Sequence, residues 1–198
     1  MKIGIYSAGE KAKIQDELID FIAVDKGYEY LLEKNITPIL TIGDFDSIKS
    51  KKNLPKDTLI LPCEKSQTDT AAAIEKAIEL GYKEIFLYGV TGNRLDHFIA
   101  IMRLLVYYSD KNITIYNDLN KIYILQQGKY KISKEEYKYI SFFSITSLYL
   151  SIDNVKYPLK DYHLFYNDAL CVSNEIIGES CNVKTSDLLY VIQSNDNY

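Results

Sequence analysis

Short apolar runs alternate with helical patterns through residues 1–118. Six of these runs are rich in β-branched and aromatic residues and predict strands, and stretches with apolar residues at helical spacing separate several of them. Strands interleaved with helices need crossover connections, so this region predicts an α/β domain with a mostly parallel sheet. The predicted strands are Lys2–Tyr6, Phe21–Val24, Ile39–Ile42, Thr58–Leu61, Glu84–Tyr88 and Ile113–Tyr116.

Two helices in this region have clear patterns. Thr70–Leu80 is rich in alanine, carries apolar residues at helical spacing and stops at Gly81, a residue type that favours helix ends. Arg94–Tyr108 places its apolar residues on one face, and a further helix is expected around Gly27–Asn35. Helix starts that follow strand ends lie at the edge of an open α/β sheet where ligands bind.

The pattern changes after residue 118. Short β-branched or aromatic runs follow one another with turn residues between them, which predicts a small all-β domain, an antiparallel sandwich or barrel. The sequence therefore predicts two domains, residues 1–118 and 119–198. The strands expected in the second are Lys121–Gln126, Lys129–Ile132, Tyr139–Phe143, Leu148–Ile152, Leu170–Ile176, Asn182–Lys184 and Leu188–Gln193.

Composition and charge narrow the classes of protein. Hydrophobic residues at 47% and charged residues at 25% are those of an ordinary globular protein. A net charge of −4 argues against a nucleic-acid partner, which needs a basic face, although a bound metal can still let an acidic site take a polyanion. No apolar run approaches the ~18 residues of a membrane span, so no membrane partner is expected.

The cysteines indicate the compartment. Cys63, Cys171 and Cys181 form no CxxC motif, and an odd number cannot all pair with one another. We expect reduced, structural thiols in a cytoplasmic protein, with a Cys171–Cys181 bridge as the alternative. The N-terminus also lacks the apolar segment of a secretory signal.

The first candidate site is Asp44-Phe45-Asp46, directly after the third predicted strand. In an extended turn the side chains of residues i and i+2 point the same way, so both carboxylates can face one ion. Mg²⁺ prefers a few carboxylates together with waters and phosphate oxygens. The alternative is an acidic turn that caps the next helix, with Ser47 as the cap.

The second candidate is Asp69, at the start of the predicted helix Thr70–Leu80. Its carboxylate can simply interact with the helix dipole. Lys65 and Thr68 precede it, however, and a lysine and hydroxyl groups beside an aspartate at a helix start suit phosphate and metal together.

The third candidate is the loop of residues 89–97. Its two glycines and Asn93 give a pliable backbone whose amides can approach an anion, Arg94 offers a fork for phosphate oxygens, and Asp96 offers a ligand or base. The alternative is an Arg94–Asp96 surface pair in a flexible turn. His97 is expected to orient a neighbouring aspartate, and Asp25 ends the second strand on the same edge.

Taken in order, these segments resemble the thiamine pyrophosphokinase (thiamin diphosphokinase) family. The resemblance extends over nearly the whole chain. The matching segments are AVDKGYEYL at 23–31, GDFDS at 43–47, KSQTD at 65–69, GVTGNRLDH at 89–97, VKYPL at 155–159 and VSNE at 172–175.

The resemblance implies an activity and a set of site residues. The expected enzyme transfers pyrophosphate from ATP to the hydroxyl of thiamine, with residues 1–118 as the catalytic, nucleotide-binding domain and 119–198 as the thiamine-binding domain. A homodimer is implied, with thiamine bound between the first domain of one subunit and the second of its partner. The metal and catalytic carboxylates map onto Asp44, Asp46, Asp69 and Asp96, the nucleotide contacts onto Asp25, Lys65, Thr68 and Arg94, and the thiamine contacts onto Ser173 and Asn174.

Two other functions compete with this hypothesis. The Asp-x-Asp pair also occurs in other Mg-dependent phosphotransferases and phosphatases, although in aspartyl-phosphate phosphatases the nucleophile usually follows the first strand. A non-catalytic thiamine or nucleotide sensor with the same fold is the other candidate. A sensor has no need of four like charges at one edge, which disfavour one another when they are brought together.

Overall fold

The computed structural model describes residues 1–43, 58–60, 68–92 and 94–196. Within them the chain is mostly β-sheet, with thirteen strands and three helices. It divides into two compact units, Met1–Leu104 with Lys111–Asp118, and Leu105–Asp110 with Leu119–Tyr198. None of the described helices combines the length and the hydrophobicity that a membrane crossing requires.

The first unit is built on six strands that pair only in parallel. Their order across the sheet is β4-β3-β2-β1-β5-β6, so the chain moves outward from the first strand on one side and then returns to its other side. The strands are β1 (Lys2–Tyr6), β2 (Asp20–Val24), β3 (Leu40–Gly43), β4 (Thr58–Ile60), β5 (Glu84–Tyr88) and β6 (Asn112–Tyr116).

The parallel pairing agrees with the prediction from the apolar runs. β1 and β5 have the predicted ends, β2 and β6 each begin one residue earlier than predicted, and β3 is shifted by one residue at both ends. Leu61, the predicted end of the fourth strand, lies outside the described residues. Buried strands of a parallel sheet read as near-continuous apolar runs, which is why the sequence located them well.

Three helices follow strands of this sheet: α1 (Gly27–Glu33), α2 (Asp69–Glu79) and α3 (Leu95–Tyr107). α1 packs on β1 and β2, and α2 packs on β1, β2 and β3. The face of α2 formed by Ala71, Ile74 and Ala77 is buried, as its spacing predicted. The expected face of α3 is only partly buried: Leu105 is buried, whereas Leu95 and Ile99 are exposed.

The second unit contains two antiparallel sheets, ordered β7-β13-β9 and β11-β10-β12-β8. One hydrophobic cluster takes side chains from both sheets and includes Cys171 and Cys181, so the unit is a small sandwich. Both thiols are free, and the alternative Cys171–Cys181 bridge is therefore not formed. The strands are β7 (Asn120–Leu125), β8 (Gly128–Ser133), β9 (Tyr139–Ser144), β10 (Leu148–Asp153), β11 (Leu159–Leu164), β12 (Ser180–Thr185) and β13 (Leu189–Ser194).

Two features of this unit differ from the prediction. β11 was not predicted, because it carries charged residues and an irregularity at Asp161, whose φ is +44°. The predicted strand Leu170–Ile176 is wrong: this segment makes only isolated bridges, Ile140 to Asn174 and Val155 to Ile176. Cys171 and Ile176 of this segment are buried in the core, although the segment does not form a continuous strand.

Candidate functional site

A cleft of about 900 Å³ lies at the carboxyl edge of the parallel sheet. It is lined by the residues that follow β1, β2 and β5 and by the starts of α2 and α3. β2 and β5 flank β1 on opposite sides, so the connections that follow these strands run in opposite directions from the carboxyl edge. A crevice opens between such connections, and it is the usual ligand site of open α/β sheets. Of the residues predicted for the site, the cleft brings together Asp25, Thr68, Asp69, Arg94 and Asp96.

The loops after β1 and β5 form the floor of this cleft. Their backbones continue the strand pairing, with Gly9 N donating to Gly89 O at 2.7 Å and Glu10 N to Thr91 O at 2.8 Å. Gly89 has a φ of +63°, and a Cβ atom at that residue would overlap the carbonyl oxygen of Ser7. A glycine is therefore required for the two loops to approach this closely.

A buried tyrosine holds the loop after β1 in place. The Tyr6 hydroxyl accepts a hydrogen bond from Ala12 N at 2.8 Å and donates one to Ala12 O at 3.0 Å. Burial raises the pKa of Tyr6 above its ordinary value, although the bond to Ala12 O opposes that shift. The phenol is thus neutral at physiological pH and fixes the loop after β1 through its two hydrogen bonds to Ala12.

The start of α2 supplies two of the predicted residues. Thr68 is the N-cap, and its Oγ1 accepts a hydrogen bond from Ala71 N at 3.2 Å, so the hydroxyl predicted to contact phosphate already stabilises the helix. Asp69 follows as the first helical residue and is half-buried at the cleft.

Asp25 has an unusual backbone for a non-glycine residue. It follows β2 with a φ of +50°, and its N–H donates to Ile42 O at 3.0 Å. The Oδ1 atom of Asp25 is buried against Gly43, where a Cβ atom would overlap it. Aspartate tolerates the left-handed region better than most residues, and such conformations concentrate at functional sites.

Arg94 and Asp96 form the two-pronged pair that the sequence allowed as an alternative. Arg94 Nε donates to Asp96 Oδ1 at 2.9 Å and Nη2 to Oδ2 at 2.6 Å. The guanidinium, and to a lesser extent the backbone N–H of His97, holds the pKa of Asp96 well below its ordinary value. The side chains are 71% and 63% exposed, so the pair is open to exchange its partners with a ligand.

The predicted role of His97 is only partly matched. Its backbone N–H hydrogen-bonds the Asp96 carboxylate, and the charge of its side chain adds a smaller contribution that also lowers the pKa of Asp96. The imidazole lines the cleft at the start of α3.

Three predicted site residues, Asp44, Asp46 and Lys65, lie outside the described residues. Within the part of the chain that is described, no three His, Cys, Asp or Glu side chains lie close enough together to hold a metal ion. Of the four carboxylates predicted to form a cluster, the described part of the chain includes Asp69 and Asp96, and both line the cleft.

The predicted thiamine contacts belong to the second unit. Ser173 has a φ of +57°, and its N–H donates to Ser141 Oγ at 2.9 Å. Asn174 is only 5% exposed. Its Oδ1 accepts from Tyr157 N at 3.1 Å and from Glu175 N at 2.9 Å, and its Nδ2 donates to Tyr157 O at 2.8 Å. Asn174 thus fixes the shape of the loop around Tyr157.

Several residues of the cleft were not predicted from the sequence. Ser7 and Thr70 bring their hydroxyl oxygens to 3.2 Å from each other, and Glu10 also lines the cleft. Their positions just after β1 and at the helix start were the available signal. No motif marked them, because serine and threonine at strand ends are common capping and turn residues.

Two protein-family models match consecutive parts of the chain. Residues 13–117 match the family model "Thiamin pyrophosphokinase, catalytic domain", and residues 129–190 match "Thiamin pyrophosphokinase, vitamin B1 binding domain". The first match contains most of the cleft, and the second contains Ser173 and Asn174.

Individual relatives are similar over the full chain. Thiamine pyrophosphokinase of Bacillus subtilis (strain 168) is 36% identical, covering 98% of this chain and 99% of its own. A crystal structure of the Bacillus subtilis thiamine pyrophosphokinase superposes with a TM-score of 0.91 at 32% identity, covering 100% of both chains. That of thiamin pyrophosphokinase from Geobacillus thermodenitrificans gives 0.89 at 31% identity, covering 100% of this chain and 99% of the other.

Proposed function

The chain belongs to the thiamin pyrophosphokinase family, and from this membership we propose that it transfers the pyrophosphoryl group of ATP to the hydroxyl of thiamine. The products are thiamine diphosphate and AMP. The observation that carries the proposal is the cleft at the carboxyl edge of the parallel sheet, where carboxylates and Arg94 lie together in the region that matches the catalytic-domain model. Residues 1–118 are then the catalytic, nucleotide-binding domain and 119–198 the thiamine-binding domain.

The reaction exchanges one phosphorus–oxygen bond for another. The thiamine hydroxyl oxygen forms a bond to the β-phosphorus of ATP, and the bond from that phosphorus to the oxygen bridging the α-phosphorus breaks. AMP leaves with the bridging oxygen, and the hydroxyl proton passes to a base. Such chemistry depends on positioning and on neutralising charge more than on covalent catalysis.

Mg²⁺ fits the donor set of the cleft. Asp69 and Asp96 line it, and carboxylate oxygens are the ligands that Mg²⁺ accepts. We propose that these two hold the ion together with Asp44 and Asp46. Bound there, it would neutralise the phosphates of ATP.

The cations of the site would bind the nucleotide directly. Arg94 can turn from Asp96 to phosphate oxygens because the pair is largely exposed, and we assign Lys65 the same role. Thr68 and Asp25 complete the proposed nucleotide contacts. Thr68 lies at the start of α2, which its side chain caps, and the carboxylate of Asp25 is held at the edge of the sheet.

Two carboxylates can accept the hydroxyl proton, Asp69 or Asp96. The pairing with Arg94 lowers the pKa of Asp96 and makes that side chain a weak proton acceptor while the pair is intact. Once Arg94 turns to the phosphate oxygens this lowering is relieved, so the proposed base is either Asp69 or Asp96.

The second domain is proposed to bind thiamine, in agreement with the match of residues 129–190 to a vitamin B1 binding domain. Ser173 would contact the ligand, and Asn174 would shape its pocket by holding the Tyr157 backbone.

We further propose a cytoplasmic homodimer with thiamine bound at the subunit interface. Leu95 and Ile99 at the start of α3 are 68% and 56% exposed, an apolar pair beside the cleft that a second subunit would cover. The free thiols of Cys171 and Cys181 fit a reducing compartment. Sedimentation of Ile99→Asp beside the parent tests the interface: the variant should sediment as a monomer, and an unchanged dimer would exclude α3 from it.

The activity is tested by following both products with ATP, Mg²⁺ and thiamine. AMP and thiamine diphosphate should appear in a one-to-one ratio, with label from the γ-phosphate of ATP recovered in thiamine diphosphate and label from the α-phosphate in AMP. Removal of divalent ions with EDTA should stop both.

The same assay separates the competing functions. ADP with thiamine monophosphate would indicate transfer of a single phosphoryl group, and phosphate release without thiamine would indicate a phosphatase. Thiamine binding with no ATP consumption would indicate a sensor. Any of these results would contradict the proposed activity.

A further inference from the structure

A pair of buried hydroxyl groups lies where β1 and α2 meet at the cleft. Ser7 Oγ and Thr70 Oγ1 are 3.2 Å apart, although 63 residues separate them in the sequence. Their residues are only 7% and 9% exposed, and both line the cleft. Ser7 is fixed by its N–H, which donates to Tyr88 O at 2.8 Å, and Thr70 is fixed in the first turn of α2.

The hydrogen-bond capacity of this pair exceeds what the fold uses. Each hydroxyl carries one proton and two acceptor lone pairs. The bond between the two oxygens uses one proton, whichever group donates it. For the second proton, the residues that the structure describes show no acceptor. A buried donor at the wall of a cleft is therefore available for a ligand.

The position of this donor favours an anion. The first N–H groups of a helix have no acceptor within the helix, and the helix dipole adds positive potential at the same end. α2 has eleven residues and begins at Asp69, next to Thr70. Phosphate groups bind at such helix starts.

We propose that the Ser7–Thr70 pair donates a hydrogen bond to a phosphate oxygen of the nucleotide bound in the cleft. This inference rests on the proposed function and adds two residues to its nucleotide-binding set. Both residues line the same cleft, so we expect either hydroxyl to supply the donor when the other is removed.

This last property gives a test that separates ligand binding from a purely structural bridge. We would measure the affinity of the folded protein for Mg²⁺ with a non-hydrolysable ATP analogue, by calorimetry, for Ser7→Ala, Thr70→Val and the double variant. Each single variant retains one donor and should weaken binding by less than about threefold. The double variant should weaken it by about tenfold, the scale of a lost hydrogen bond to a charged group.

The opposite pattern would overturn the proposal. If the pair only joins β1 to α2, either single change breaks the bridge, and the double variant will bind no more weakly than the weaker single variant. Unchanged affinity in a correctly folded double variant would also overturn it.

Two controls keep the result interpretable. Thr70→Ser keeps a hydroxyl and should bind like the parent even if Thr70→Val folds poorly. Thr114→Val removes a buried hydroxyl from β6, away from the cleft, and should leave the affinity unchanged. The parent is assayed in parallel for AMP production from ATP and thiamine. Absence of that activity would contradict the proposed function. An active parent, together with a double variant whose affinity is unchanged, would contradict the role of the hydroxyl pair alone.

Discussion

The polar groups of the two units are used in opposite ways. At the carboxyl edge of the parallel sheet, Arg94 and Asp96 satisfy each other on an exposed surface and can exchange partners. In the antiparallel unit, Asn174 is buried and both ends of its side chain bind backbone groups. An exchangeable polar group can follow the charge of a reacting ligand, whereas a committed one defines the shape of a loop. From this comparison we expect the chemistry to take place in the first unit and the second unit to define the shape of the ligand site.

The largest expected effect comes from removing a carboxylate at the reactive edge. Asp69→Asn should lower AMP production by at least about a hundredfold, the scale of losing one group that stabilises transition-state charge. Its melting temperature should stay close to that of the parent, because Asp69 is half-buried at a cleft rather than in the core.

The matched control for this change is Glu79→Gln at the other end of the same helix. Glu79 pairs with Lys76 on the surface at 2.9 Å and lies outside the cleft. Full activity in both variants would exclude Asp69 from the mechanism and would contradict the placement of the chemistry in the first unit.

The second effect is on stability and belongs to the antiparallel unit. Asn174→Leu leaves the N–H and C=O of Tyr157 without their partner, which should lower the free energy of unfolding by about 2 kcal/mol. Denaturant unfolding measures this change. We also expect a raised KM for thiamine with an unaltered affinity for the nucleotide.

Asn182→Ala is the corresponding control, because Asn182 is exposed and its side chain donates a hydrogen bond to the side chain of Asp153 at 2.6 Å. A loss of stability as large as that of Asn174→Leu would mean that burial does not distinguish the two amides.

A smaller effect is expected at the exchangeable pair. Arg94→Gln should raise the KM for ATP by about tenfold, since it removes one charge-assisted contact to phosphate. Its unfolding free energy should hardly change, because exposed ion pairs contribute little. A large loss of stability in this variant would show that the pair is structural.

The smallest effect is a titration shift in the same variant. Arg94 lowers the pKa of Asp96 in the folded protein, so the pair stabilises the fold above the unfolded pKa of aspartate, and that stabilisation is lost as pH falls toward the folded pKa. In Arg94→Gln the pKa of Asp96 should rise toward its ordinary value. Carboxyl chemical shifts followed by NMR against pH measure this, and an unmoved pKa would contradict the role of Arg94.

The sequence predicted the parallel unit better than the antiparallel one for a physical reason. β1 is an apolar run buried on both faces and β5 is a largely buried apolar run, so hydrophobicity alone locates them. β11 pairs polar residues with a bulge at Asp161, and its pattern therefore resembles a loop. Cys171 and Ile176 are buried without a ladder, which made their segment resemble a strand.

The site was predictable only where a motif carried it. Asp25, Asp69 and Asp96 follow strands at one edge, and the parallel arrangement brings them to one cleft. The contact between Ser7 and Thr70 joins residues far apart in the sequence, and no local pattern encodes such a contact. The hydrogen bonds between the Asn174 side chain and the Tyr157 backbone could not be predicted for the same reason, because Tyr157 lies 17 residues earlier.

The most direct test of the central claim is metal binding at the reactive edge. Mn²⁺ can replace Mg²⁺ as a paramagnetic probe, and its binding with ATP can be compared in the parent, Asp69→Asn and Asn174→Leu. We predict that Asp69→Asn weakens Mn²⁺ binding strongly and that Asn174→Leu leaves it at the parental level. Equal Mn²⁺ affinity in the parent and Asp69→Asn, or a loss confined to Asn174→Leu, would contradict the assignment of the chemistry to the carboxyl edge of the parallel sheet.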